Sequence, residues 1–166
     1  MMMLERCLFR LAAWRKNDAA LGRFSAPLDQ LTEEMAGKRI AIVGNARALA
    51  QANFGAQIDS CDLVIRINRA PMPSAKSHGT RTDWLALATS LPQAQFARFG
   101  TSRLIWMSHK RKRLRYWMSQ TSGFSLFPKT SYDDIKAKLG AQPTTGAMVI
   151  DLVSQSDAEK IELFGF

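Results

Sequence analysis

Lys38-Arg39-Ile40-Ala41-Ile42-Val43-Gly44-Asn45 and Asp62-Leu63-Val64-Ile65-Arg66-Ile67-Asn68-Arg69-Ala70-Pro71 are built alike. Each is a short apolar run that follows charged residues and stops at an asparagine. Such runs, without polar alternation, predict strands buried on both faces of a parallel sheet. In an open parallel sheet ligands gather at the carboxyl ends of the strands. An asparagine there offers amide donors and acceptors without net charge. The same two residues, Asn45 and Asn68, would equally serve to turn or cap the chain.

Outward from this pair, Thr82–Leu87, Arg103–Met107 and Lys160–Phe164 read as further strands. Helices are expected over 46–54, ending at Gly55, and over 91–99 and 131–139. Residues 73–79 read as a loop. Pro143-Thr144-Thr145-Gly146 opens a further helix, and its N–H groups and hydroxyls suit either an anion or an ordinary threonine cap. Strands and helices alternate, so the fold class is α/β, with a mostly parallel sheet flanked by helices.

The first 37 residues precede this pattern as an amphipathic helix and a polar connector. Over residues 3–16, Leu4, Cys7, Leu8 and Leu11 share one face that Trp14 extends. That face either packs on the domain or contacts anionic lipid. No secretory leader and no transmembrane run is seen.

A net charge of +9 points to an anionic partner: nucleic acid, a membrane surface or a phosphorylated ligand. No acidic residue lies between Asp83 and Asp133, and Lys110-Arg111-Lys112-Arg113-Leu114-Arg115 falls in that gap. This run reads as a solvated surface, a phosphate-binding patch or a rim for an anionic glycan. Cys7 and Cys61 have neither metal-ligand nor disulfide-framework spacing. There is no G-x-G-x-x-G, P-loop or G-x-S-x-G, and no Asp-x-Asp for a metal-bound nucleotide. No metal is therefore expected, and phosphate recognition falls to backbone dipoles, amides, hydroxyls and basic side chains.

Ile42–Asn45, Ile58-Asp59-Ser60, Val64–Pro71 and Gly79-Thr80-Arg81-Thr82 together resemble the large sialylmotif of glycosyltransferase family 29, the eukaryotic-type sialyltransferases. Pro143–Gly146, an apolar helix and Leu163-Phe164-Gly165-Phe166 resemble the small sialylmotif. The resemblance implies a Rossmann-like, GT-A-variant fold and residues 38–166 as a nucleotide-sugar-binding glycosyltransferase domain. It implies inverting transfer of an acidic sugar, sialic acid or Kdo, from a CMP-sugar donor to a glycan acceptor, with no cofactor. Carried over by position, Asn45 and Asn68 contact the donor phosphate or ribose, and the backbone at Ala46 and Arg47 lines the same pocket. Thr144, Thr145 and Gly146 hold donor groups at the helix start, and Gly165 borders the nucleoside.

The departures set further expectations. Ala46-Arg47 replaces the family's usual Ser-Gly. The disulfide that joins the motifs in animal members corresponds to Ile40 and about Ala158, which with the missing anchor implies a cytoplasmic, membrane-peripheral setting. The motif carrying the family's general base is expected after Phe166, so the catalytic residue is unknown here. His78 and His109 both read as surface histidines. The alternatives are a non-catalytic CMP-sugar or glycan-binding module and, resting on charge alone, a nucleic-acid binder, although no nucleic acid is expected.

Overall fold

The computed structural model describes residues 2–166. Helices α1 (Met2–Arg15), α2 (Asp18–Gly22) and α3 (Leu28–Met35) precede β1 (Arg39–Val43). A 3-10 turn (Arg47–Gln51) and α4 (Gly55–Asp59) lead to β2 (Leu63–Ile67), and α5 (Ala75–His78) leads to β3 (Trp84–Leu87). Then come α6 (Gln93–Ala97), β4 (Arg103–Trp106), a second 3-10 turn (Arg111–Arg113), α7 (Tyr116–Ser119) and β5 (Ser125–Leu126). Finally α8 (Lys129–Leu139) and α9 (Thr145–Ser154) lead to β6 (Lys160–Phe164).

The strands form one sheet in the order β5-β4-β3-β2-β1-β6, with every neighbouring pair parallel. The chain steps outward from β1 to β5, then returns across the sheet to lay β6 on the other side of β1. The order therefore reverses between β1 and β6, where open α/β sheets place their ligands. Strands β1 to β4 are buried on both faces, which is why they appear in the sequence as largely apolar runs, with Arg66 a buried exception inside β2.

Side-chain parity sorts the core. Ile40, Ile42, Ile65, Ala86 and Ile105 point to one face and pack with Leu31, Met35, Ile135, Val149 and Leu152 of α3, α8 and α9. Ala41, Val43 and Val64 meet Leu49 and Ile58 on the opposite face. Leu85, Leu87, Leu104 and Trp106 meet Phe9, Ala12, Ala13 and Leu21 there. The first 37 residues thus cover both faces of the sheet formed by the rest of the chain.

Several local expectations are corrected. Within 46–54 only a 3-10 turn over Arg47–Gln51 forms, not a longer helix, and Gly55 starts α4 where a stop was expected. A Cβ at Gly55 would collide with the Ala75 carbonyl, so this glycine permits α4 and α5 to touch. The 73–79 loop contains α5, whose cap is the Ser74 hydroxyl accepting from the Lys76 N–H. Strand β5, two residues long, was too short to show a period.

Helix α1 packs through the face that its sequence pattern did not single out. Phe9, Ala12 and Ala13 are buried, with the Phe9 ring edge-on to Phe24 and Tyr116. Leu4, Cys7, Leu8, Leu11 and Trp14 are exposed. The basic run is likewise not uniformly solvated. Arg111 is 1% exposed and forks onto Asp18 (Nε–Oδ1 2.9 Å, Nη2–Oδ2 2.7 Å). It also donates to the carbonyls of Ser108 and Phe127, both at 2.7 Å. Among the described residues, no helix is long and apolar enough to cross a membrane.

Candidate active site

A cleft of ≈ 480 Å³ opens at the carboxyl ends of β1, β2, β3, β4 and β6 and at the start of α9. Its size lies within the roughly 300–1,000 Å³ typical of small-molecule sites. Asn45, Asn68, Thr144, Thr145 and Gly146 all line it, so five of the seven expected donor residues meet in one place. Ala46 and Arg47 are not on its wall. The Ala46 N–H is committed to the Gly165 carbonyl (2.9 Å), and Arg47 is exposed at the start of the 3-10 turn.

Asn68 ties the cleft together. It sits in the left-handed region (φ 54°), which asparagine tolerates better than most residues. Its N–H donates to the Ala86 carbonyl (2.8 Å), and its Oδ1 accepts from the Ala88 N–H (2.9 Å). Its Nδ2 donates to Thr145 Oγ1 (3.1 Å) on the first residue of α9. Asn45 Nδ2 donates to the Ile67 carbonyl (3.2 Å), linking the ends of β1 and β2. The Thr144 hydroxyl caps α9 by accepting from the Ala147 N–H (3.1 Å). The cleft wall thus presents amides, hydroxyls and the positive end of a ten-residue helix.

The end of β6 closes the floor. Gly44 donates to the Phe164 carbonyl (2.7 Å), and a Cβ at Gly44 would strike the Gly165 carbonyl. Gly165 lines the cleft with Phe166. The opposite wall comes from the segment after β4, with Ser108, His109, Lys110 and Arg113. No aspartate or glutamate lines the cleft among the described residues. Nor do three metal-ligating side chains come together among them.

Both histidines depart from their reading as surface residues. His109 is half-buried and its ring lies 4.4 Å from that of Tyr132, at 34°. Burial, then the neighbouring Lys110 and Arg111, push its pKa below the ordinary imidazole value, against a weaker pull from Asp133. Its neutral form therefore predominates at pH 7. The sequence signal was weak: a histidine just past a buried strand. His78 is 4% exposed, and its Nδ1 lies 2.7 Å from the Ser77 hydroxyl. Burial and Arg66 lower its pKa too.

Most charged residues of the large-motif stretch serve the scaffold. Asp59 accepts from the N–H groups of Thr80 and Arg81 and from the Thr80 hydroxyl. Arg81 donates to the carbonyls of Asp59 and Cys61 and pairs with Asp83 (2.8 Å). Asp83 in turn accepts from the Val64 N–H (2.8 Å). Arg66, 1% exposed, donates to the carbonyls of Arg81 and His78, and burial draws its pKa down to about 10. It remains a cation at neutral pH. This network fixes β2 against β3, and with it the position of Asn68.

Comparison with known proteins bears on the family and the fold. The family model of glycosyltransferase family 29 (sialyltransferase) matches residues 15–134, and the chain belongs to that family. The stretch 143–166 lies outside the matched residues and is brought to the site by the fold. The structure resembles that of a mammalian sialyltransferase crystallised with Gal-beta-1-3GalNAc-ortho-nitrophenol, at a TM-score of 0.62 and 19% identity. That alignment covers 86% of this chain and 60% of the other. A second mammalian sialyltransferase structure aligns at a TM-score of 0.58 and 19% identity, over 78% of this chain and 55% of that one. The chain thus spans less than two thirds of the length of either. No curated protein sequence matched.

Proposed function

We propose that this cleft binds a CMP-activated acidic sugar, sialic acid or Kdo, and that the protein transfers it with inversion to a glycan acceptor. The observation that carries the reading is the Asn68–Thr145 hydrogen bond, which joins two motifs 77 residues apart around one cleft. In this reading the donor phosphate sits at the start of α9, facing the backbone of Thr145 and Gly146. Asn45 and Asn68 orient the phosphate and ribose, and Lys110 and Arg113 balance the negative charge of the phosphate and the sugar carboxylate. The wall has cations, amides and hydroxyls but no carboxylate, a donor set suited to metal-independent phosphate binding. His109 is the cleft's imidazole, and in its neutral form it can take the proton of an acceptor hydroxyl.

Calorimetry with CMP tests the binding step. Micromolar binding is expected, lost in Thr145→Val and in Asn68→Asp. A folded protein that does not bind CMP overturns the proposal. Incubation with CMP-sialic acid and CMP-Kdo in the presence of glycan acceptors tests transfer. CMP binding without turnover of either donor assigns a non-catalytic module instead. His109→Gln that lowers turnover but leaves CMP affinity intact assigns the proton acceptor.

A further inference from the structure

Helix α1 has two apolar faces. Phe9, Ala12 and Ala13 serve the core. The opposite face carries Met3 (82% exposed), Leu4 (65%), Leu8 (52%), Leu11 (44%) and Trp14 (63%). A helix already anchored by one face needs no second apolar stripe for folding. Large apolar side chains contiguous on a surface mark a place of contact.

Cations border that stripe. Arg6, Arg10, Lys112 and Arg115 line a hollow of ≈ 900 Å³ between α1 and α7, together with Trp14 and Trp117. The Lys112 ammonium lies 5.6 Å from the centre of the Trp14 ring. Acidic residues offer little compensation. In the first 27 residues only Glu5 and Asp18 are acidic, and residues 84–132 contain none. Glu5 accepts from the Tyr116 hydroxyl (3.4 Å), and Asp18 is committed to Arg111.

We propose that this face seats the protein on an anionic lipid bilayer. The α1 stripe enters the boundary between headgroups and acyl chains, while Arg6, Arg10, Lys112 and Arg115 pair with lipid phosphates. Leucine, methionine and tryptophan beside arginine and lysine are the composition that an interfacial helix uses. Each basic side chain near such a surface adds attraction. A second copy of the chain fits less well, because a twofold contact sets a patch against itself and would oppose these cations to one another. Nucleic acid would satisfy the cations but leave the leucines without a role.

The placement bears on the donor cleft. Lys110 and Arg113 line the cleft, while Lys112 and Arg115 line the hollow. One basic segment therefore borders both, and membrane binding would present the cleft next to the bilayer. The docking itself does not depend on the proposed transferase reaction.

Vesicle co-sedimentation of the full chain tests the proposal. Vesicles of phosphatidylcholine with about one-third phosphatidylglycerol should bind at least about tenfold more protein than pure phosphatidylcholine, less so at high salt. The Trp14 emission should shift to the blue, and Trp14→Phe should remove most of that change. The double variant Leu4→Glu/Leu11→Glu changes only exposed positions and should keep its fold and CMP affinity. It should lose about tenfold or more in binding, as should Arg6→Glu/Arg10→Glu. Equal binding to neutral vesicles, no binding to either, or unchanged binding by the leucine variant would overturn the proposal. So would a concentration-dependent dimer that the leucine variant abolishes. CMP titration of the same samples reads the donor site separately.

Discussion

The Asn68 side-chain amide donates to Thr145 Oγ1 at 3.1 Å, across the gap between the end of β2 and the start of α9. The same amide's oxygen holds the Ala88 N–H beyond the end of β3. One side chain therefore sets the distance between three elements that wall the cleft. Asn68→Asp keeps the acceptor for Ala88 but removes the amide donor to Thr145 Oγ1, and its charge repels a bound phosphate. Thermal stability should fall by about 1–2 kcal/mol, and CMP affinity by about tenfold or more, read by calorimetry.

The contact between Gly44 and Gly165 leaves no space for a methyl group. Gly44→Ala would drive a Cβ into the Gly165 carbonyl, which is backbone and cannot rotate aside. Denaturant unfolding should show a loss of about 1–3 kcal/mol, with CMP binding weakened because β1 and β6 separate at the cleft floor. Gly22→Ala is the control. Nothing lies within 4 Å of a Cβ at Gly22, and stability should change by less than about 0.5 kcal/mol.

Asp18 neutralises a buried arginine. Asp18→Ala leaves the Arg111 guanidinium, 1% exposed, with two carbonyl partners and no counter-charge. The expected cost is about 2–4 kcal/mol in urea unfolding. The double change Asp18→Ala/Arg111→Met should recover part of it. A strictly additive double variant would show that the pair is not coupled.

Acidification should weaken the fold in two steps. His78 and His109 have folded pKa values below the ordinary imidazole value near 6.5. As pH falls past that value, the unfolded chain binds protons before the folded one does, so stability declines toward the lower, folded values. Asp59 repeats this in the carboxylate range. Burial opposes its ionised form, but the N–H groups of Arg81 and Thr80 and the Thr80 hydroxyl outweigh burial and lower its pKa below the usual 3.8. Its contribution is present above that value and lost below it. Urea midpoints between about pH 8 and pH 3 should fall in both windows. His78→Gln should flatten the upper one, and Asp59→Asn the lower.

The strands β1, β2, β3 and β4 were legible in the sequence because a parallel strand covered on both faces is mostly apolar. Strand β6, at the sheet edge, is less buried, yet Lys160–Phe164 still showed enough apolar character to be read. Asn45, Asn68 and the Thr144–Gly146 helix start were also legible, since strand ends and helix starts leave local marks. Strand β5 and the helix opened by Gly55 were not, because one is too short for a period and the other depends on Ala75, twenty residues away.

The sequence by itself determined which runs are strands, which helix begins with threonines, and that two stretches resemble the family's two motifs. Local patterns suffice for these, because burial on two faces and capping act within a few residues. Tertiary structure decided the rest. It chose which apolar face of α1 meets the core, since both have helical spacing and only the sheet tells them apart. It buried Arg111 against Asp18, 93 residues away, and brought His109 to the cleft wall. It also made Asn68 and Thr145 neighbours, because the chain must cross the sheet to set β6 beside β1 before the two motifs can meet.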